Sequence, residues 1–377
     1  MIDELAFQKL VLPAGNLFLF SCFFASFIRE RTARFGAVLG ILLLFALLFG
    51  IRDWGVGIDT PKYTAAFEAG RVAEYHDLEI YEPLYIAAGL VLRPVLKHYN
   101  LFLLFVSFLQ VLCLFLAYHR LLGRWAPFGL ALYAAGFVFW LSNLSMLRQG
   151  LSIALCFYAY ALLVTSEHLK GGLLLLLSPM VHFSALLWPV AYFLFRFYRR
   201  LAESYPSLFR AAVVLVVAGL AYPGPLFYEF LKFLVDQVYS LTGHPYAEKI
   251  QWYMTWSKLT PWHLKHVYFL ILLLFFAVAV RVFRRGRADE HFLFLFSGLT
   301  VILFCKYDEM VADRMFMYFV PVVPVLLLKF LEEILPAERD RRLALVLVLA
   351  GAVVWFNVKF FLLQYGGWFI SPFPAVR

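Results

Sequence analysis

Residues 142–188 read SNLSMLRQGLSIALCFYAYALLVTSEHLKGGLLLLLSPMVHFSALLW, and this stretch decides the fold class. It sets Arg148 inside a nearly unbroken apolar run and, one hydrophobic segment later, sets His182 beside Pro179 and Ser184. A charge at bilayer depth costs roughly 2.5 to 3.5 kcal/mol on insertion scales, so such a side chain must face a partner, a cavity or water. Both residues are therefore site candidates.

The same kind of run recurs along the chain, as in GILLLFALLFGI (40–51) and LILLLFFAVAV (270–280). These runs are continuous, whereas a transmembrane barrel needs apolar and polar residues alternating with period two, so a barrel is excluded. The 377 residues are 63% hydrophobic and only 15% charged, with a mean hydropathy of +0.81. No soluble core of this size hides so much apolar surface, and lipid must be the solvent for most of it. The fold class is an all-α polytopic membrane protein, read as one transmembrane domain over residues 1–377.

Apolar runs near 11–28, 33–51, 83–96, 100–118, 126–142, 149–164, 171–195, 210–222, 264–280, 291–305, 315–331 and 343–363 give about ten to twelve membrane segments, since a full span needs roughly 20 residues. The N-terminal MIDELAFQKL is acidic where a secretory signal would be basic, so the first run reads as a retained anchor. Cys22, Cys113, Cys156 and Cys305 lie in separate apolar segments without metal-type spacing and read as packing residues; neither a disulfide nor a metal site is expected. The net charge of +9 comes largely from arginines beside membrane segments and implies topology, not nucleic acid.

Clusters at Arg29, Arg31 and Arg34, at Arg196, Arg199 and Arg200, and at Arg281, Arg284, Arg285 and Arg287 belong on the cytoplasmic side by the positive-inside rule. The termini and two long loops, 52–82 and 223–263, then face outward. Simple alternation of twelve spans puts Arg148 inside and Arg120 and Arg124 outside. An arrangement with 83–96 held on the outer side, and 171–195 broken at Pro179 into a re-entrant pair, reverses both placements. It suits the charge rule better, and irregular backbone at depth is tolerated where it lines a cavity. We therefore expect Arg148 and His182 to share the outer face with loop 52–82.

That loop holds seven acidic and three basic residues and contains IRDWGVGIDTPKYTAAFE. Two glycines permit a tight turn, and Asp59-Thr60-Pro61 can cap a following helix. Arg52 and Glu82 flank it, so Asp59 has a site reading beside the capping one. Arg148 shares a helical face with Ser145 and Ser152. It is either an arginine paired to a buried carboxylate for structure or an anion clamp whose fork fits phosphate oxygens. Arg314, after Asp308, Glu309 and Asp313, is a second such arginine, and the two together suit a diphosphate. Loop 223–263 carries apolar residues at helical spacing and reads as an amphipathic helix at the membrane surface. Its Trp252, Tyr253, Trp256 and Trp262 are interfacial anchors or sugar-stacking platforms.

Taken in order, the GxGxDTxxY of residues 55–63, the EPLY of 82–85, the MLRQGLSIAL of 146–155, the VHFSALL of 181–187 and Arg314 before an aromatic, proline-punctuated span resemble the EpsG-like family of bacterial polysaccharide polymerases, related in role to Wzy-type O-antigen polymerases. The resemblance runs from about Arg52 to Pro324. It implies an inner-membrane glycosyltransferase of GT-C-like architecture, acting at the periplasmic face on polyprenyl-diphosphate-linked oligosaccharides, with chain-length regulator and flippase partners and without a cofactor. The family pattern falls on Asp59, Tyr63, Glu82, Arg148, Gln149, His182 and Arg314. Asp59, Glu82 or His182 is then the base, and Arg148 and Arg314 hold the diphosphate without a metal, with Gln149, Tyr63, Arg52, Trp252 and Trp256 binding substrate. An O-antigen ligase, another GT-C-type transferase and a lipid-linked sugar transporter or flippase are the alternatives, with membrane lipid a partner in every case.

Overall fold

The computed structural model describes residues 4–53, 56–57, 59–69, 82–221, 226–242, 288–305, 309–335 and 337–365. Their regular elements are all helical, as the continuous apolar runs require. The chain divides into two compact units: unit 1, Met1–Ala185 with Leu335–Arg377, and unit 2, Leu186–Ile334.

Unit 1 contains α1 (Glu4–Ala25), α2 (Arg31–Gly50), α3 (Thr60–Ala69), α4 (Pro83–Leu96), α5 (Tyr99–Leu122), α6 (Ala126–Ala134), α7 (Phe137–Leu144), α8 (Leu147–Val164), α9 (His168–Val181) and the closing helix α16 (Glu338–Tyr365). Unit 2 contains α10 (Leu187–Ser204), α11 (Pro206–Ala221), α12 (Leu226–Thr242), α13 (Ala288–Cys305), α14 (Glu309–Met317) and α15 (Val322–Ile334). Among the described residues, four stretches are long and apolar enough to cross a membrane: Arg31–Gly50, Tyr99–Ala134, Leu147–Val164 and Glu338–Phe360. Five shorter apolar helices accompany them.

Two predicted runs are broken. The run at 126–142 splits into α6 and α7 around Ala135 and Gly136. The run at 171–195 stops at Val181, where His182 turns extended (φ −156°, ψ 121°) before a short 3-10 turn over Phe183–Leu186. Pro179 lies inside the last turn of α9, and its missing N–H loosens that turn just ahead of the break. At 14 residues, α9 rises only about 21 Å, short of a hydrocarbon core about 30 Å thick.

Unit 1 has two chemically distinct poles. At one, α1 ends and α2 begins: the Glu30 carboxylate caps α2 through the amides of Thr32 (2.8 Å) and Ala33, and Ser26 Oγ accepts from the Phe128 amide at the start of α6 (3.1 Å). Arg120 pairs with Glu167 between α8 and α9, and Arg124 reaches Glu338 of α16 at 3.6 Å. His119 lies within electrostatic reach of Arg31 and Arg34. Arg31, Arg34, Arg120 and Arg124 thus gather at one basic pole, as the second arrangement above expects.

The opposite pole collects the end of α2, the starts of α5 and α8, and the end of α9. Asn100 Nδ2 donates to the carbonyls of Gly50 (2.7 Å) and Arg52 (2.9 Å), tying α5 to the exit of α2. Helix α4 begins here, where Glu82 meets Arg148. It ends here too, with Arg93 donating to the Glu68 carbonyl before the chain enters α5. With both ends at one pole, α4 stays at that pole and does not span, as expected for the run at 83–96. A buried cluster of Tyr63, Phe67, Tyr99, Phe102, Leu147 and Val181 seats α3 against α5, α8 and α9. Close van der Waals packing holds such a cluster where surrounding lipid weakens the hydrophobic drive.

In unit 2, Trp188 is buried and stacks on Phe319 (5.9 Å, 5°), with Phe294 at 4.9 Å. Helix α12 exposes Phe230, Phe233 and Leu241 alongside Glu229 and Lys232, the amphipathic pattern expected of the first part of loop 223–263.

Candidate functional site

The candidate residues of unit 1 converge on the joint between α7 and α8. Helix α7 stops at Leu144, Ser145 and Met146 leave helical geometry, and α8 starts at Leu147 with Arg148 in its first turn. Arg148 Nη1 donates to Glu82 Oε2 at 2.5 Å, with the two side chains only 12% and 5% exposed. Its guanidinium carbon lies 5.5 Å from the Tyr63 ring and 6.0 Å from the Tyr85 ring, so two aromatic faces flank the cation. Glu82 Oε1 accepts the Phe183 amide at 3.1 Å. One carboxylate therefore links the start of α4, the start of α8 and the break after α9. The pairing is the structural alternative raised for Arg148, and together with the Phe183 amide it engages both oxygens of Glu82.

Arg52 is wholly buried. Its Nη1 donates to the Asn143 carbonyl (2.7 Å), and its Nη2 to the Leu144 carbonyl (3.1 Å) and Thr60 Oγ1 (3.3 Å). Thr60 Oγ1 itself donates to Leu144 O at 3.0 Å. A cation at a helix C-terminus recovers about 0.3 to 2 kcal/mol, while desolvating an ion costs several. Hydrogen bonds to a charged group, about 1.5 to 3 kcal/mol each, are what offset the rest. Burial pushes the Arg52 guanidinium down to about 10, so it remains charged at neutral pH. Among the described residues no carboxylate pairs with it. Arg52, expected above to bind substrate, turns inward instead and braces these carbonyls.

Gly57 explains half of the glycine motif. Its φ of +99° disfavours any L side chain, and a Cβ there would overlap the Leu144 carbonyl oxygen. Asp59 stands at the cap position of α3, its carbonyl accepting from Tyr63 N (3.2 Å). Its side chain is half-buried and, among the described residues, makes no hydrogen bond or ion pair. Tyr63, one turn further along α3, is the ring that covers Arg148.

His182 closes α9, its amide donating to Ser178 O (3.0 Å). The Ser184 amide points at His182 Nδ1 (3.3 Å), and Ser184 Oγ lies 2.6 Å from the same nitrogen. A backbone N–H aimed at Nδ1 makes that nitrogen an acceptor, so the hydrogen-bond pattern puts the proton of the neutral ring on Nε2. A ring of that tautomer donates to an oxyanion more readily than it accepts from a hydroxyl. Gln149 is buried within α8, next to Arg148.

Residues 37–369 match the profile of the EpsG family. The chain belongs to the EpsG family. It is a membrane protein of the Wzy-like polysaccharide-polymerase type. No curated protein and no solved structure matches it.

Within this EpsG-family chain, Arg52, Asp59, Tyr63, Glu82, Arg148, Gln149 and His182 all belong to unit 1. Arg314 belongs to unit 2, half-buried in the last turn of α14 beside Asp313, where a cation also suits the helix dipole. Trp252 and Trp256 lie outside the described residues. Sequence reasoning missed Asn100, which anchors two carbonyls, and the Phe183 amide. It also gave no role to Tyr85, although EPLY includes it. A lone Asn opening an apolar run gives no signal, and a backbone amide gives none at all.

Proposed function

We propose that this EpsG-family protein joins polyprenyl-diphosphate-linked oligosaccharide repeat units into a surface polysaccharide at the periplasmic face of the inner membrane. The observation that carries the reading is one pole of unit 1. There Asp59, whose carboxylate makes no hydrogen bond or ion pair among the described residues, stands one helical turn from the ring covering Arg148, and His182 ends a short helix tied to the same ion pair. The positive-inside rule puts the basic pole of Arg31, Arg34, Arg120 and Arg124 in the cytoplasm, and so favours the periplasm for the pole with Arg148.

In this reading Asp59 takes the proton of the acceptor hydroxyl as its oxygen bonds to the donor's anomeric carbon. The bond from that carbon to the diphosphate oxygen breaks, and its electron pair leaves on the lipid diphosphate. Arg148 and the Nε2–H of His182 stabilise that developing charge, so the transfer needs no metal. Glu82 keeps Arg148 aimed and is not the base. A flippase supplies the lipid-linked unit, and a chain-length regulator acts on the growing product.

The purified protein in lipid nanodiscs, given a lipid-linked repeat unit, should produce a ladder spaced by the mass of one unit and release polyprenyl diphosphate, unchanged by a chelator. Addition of single sugars or transfer to a different acceptor lipid would replace the polymerase reading by another transferase. Movement of the lipid across the bilayer without bond formation would replace it by a transporter.

A further inference from the structure

The contacts of Arg52 reach both sides of the proposed chemistry. Its Nη2 meets Thr60 Oγ1, the residue directly after Asp59, at 3.3 Å. Its two Nη atoms meet the carbonyls of Asn143 and Leu144, the last residues before the joint from which Arg148 departs. The Leu144 oxygen is shared, since Thr60 Oγ1 donates to it as well, and Gly57 lies against it with no room for a side chain. Asn100 clamps the backbone on either side through the carbonyls of Gly50 and Arg52. The start of α3, eight residues away, and the end of α7, 91 and 92 residues away, are thus pinned around one planar group. Ending a helix needs only a neutral donor or a left-handed glycine. Addressing two carbonyls and a hydroxyl at once needs a rigid fork, which guanidinium has and ammonium lacks.

We propose that Arg52 is a positioning residue of the transfer reaction, one buried guanidinium that fixes both the helix start bearing Asp59 and the joint bearing Arg148. This rests on the polymerase reading above. Arg52 touches no substrate; it sets the distance between base and cation. Misplacing that pair slows chemistry while leaving the affinity for the lipid-linked unit nearly intact, because positioning is worth most in the transition state.

Thr60→Val, Thr60→Ser, Arg52→Lys and the double variant Arg52→Lys/Thr60→Val should be compared with wild type for kcat, KM and melting temperature in nanodiscs. Thr60→Val removes the bridge between α3 and the end of α7 without touching the charge. It should lower kcat about tenfold with KM within about twofold, the order expected for one hydrogen bond, and Thr60→Ser should restore the rate. Arg52→Lys should fall at least as far, and the double variant no further than Arg52→Lys alone, since the two groups act as one unit. A folded Thr60→Val enzyme with the wild-type kcat, a loss confined to KM, or additive losses in the double variant would overturn the assignment. If Arg52→Lys does not fold, the two Thr60 variants decide alone. Wild type that joins no repeat units overturns the polymerase reading and this assignment together, whereas active wild type with an unimpaired Thr60→Val overturns this assignment only.

Discussion

Glu82→Gln leaves the Phe183 amide an oxygen to bond but takes the charge out of the Arg148 pair. The pair spans 2.5 Å and is nearly buried on both sides. Removing one partner of such a buried pair costs about 3 to 5 kcal/mol, because the remaining charge loses its counter-ion while it stays largely out of water. Arg148 keeps 12% of its surface, which allows some rehydration and argues for the lower figure, about 3 kcal/mol. At about 2 to 4 °C per kcal/mol for a unit of this size, the melting temperature should fall by roughly 6 to 12 °C. Arg148→Lys behaves differently: a lysine still pairs with Glu82 and should hold the melting temperature within about 2 °C. It loses the fork, and one charge-assisted hydrogen bond of about 1.5 to 3 kcal/mol in the transition state corresponds to a ten- to hundredfold drop in repeat units joined per minute.

Melting is followed by intrinsic tryptophan fluorescence in nanodiscs, and turnover on a lipid-linked repeat unit. Glu82→Gln combined with Arg148→Met removes both charges and should recover most of the lost stability while remaining inactive. Glu82→Gln melting with the wild type would mean that the ion pair does not hold the pole together. Arg148→Lys working at the wild-type rate would leave Arg148 a brace and remove it from the chemistry.

Three further outcomes are expected. Gly57→Ala should destabilise unit 1 by about 2 kcal/mol or more, read as a lower melting temperature, because it combines a positive φ with overlap on the Leu144 oxygen. At the basic pole, the Glu167 carboxyl is held below its ordinary value by Lys170 first and then by Arg120. Its contribution to stability is therefore complete above the ordinary glutamate value of 4.5 and fades as pH falls through the lower folded value, so Glu167→Gln should flatten the melting temperature against pH in that acid window. Asn16 and Asn357 exchange two side-chain hydrogen bonds (3.1 and 2.9 Å) between α1 and α16. Asn357→Leu should cost about 1 kcal/mol, largely recovered when Asn16→Leu is added, as double-variant melting curves would show.

The membrane fold was legible because an uninterrupted apolar run has few other solutions, and the break near Pro179 because proline removes an amide that α9 would use. The polarity of unit 1 followed from the arginine clusters once 83–96 was kept from spanning. What could not be read was direction. Arg52 beside an acidic loop looks like a ligand-binding cation until its side chain is seen to point at carbonyls 91 and 92 residues away. Gly57 announced a turn but not its partner, because the Leu144 oxygen that forbids a side chain there has no signature in sequence. Arg148 carried two readings, and only the distance to Glu82 shows that the ion pair exists. Whether the arginine also serves the leaving group depends on what happens when a stronger anion arrives.

That competition has a direction set by geometry. A diphosphate offers Arg148 more negative oxygen than one carboxylate does, and its approach would compete for the Nη1 that Glu82 holds. Glu82 would not be stranded by the exchange, because its other oxygen keeps the Phe183 amide at the end of α9. The carboxylate therefore keeps one tie to the break after α9. On the reading proposed above, Arg148 turns to the leaving group while the start of α4 stays joined to the end of α9, so the cation is delivered without loosening the frame that presents it.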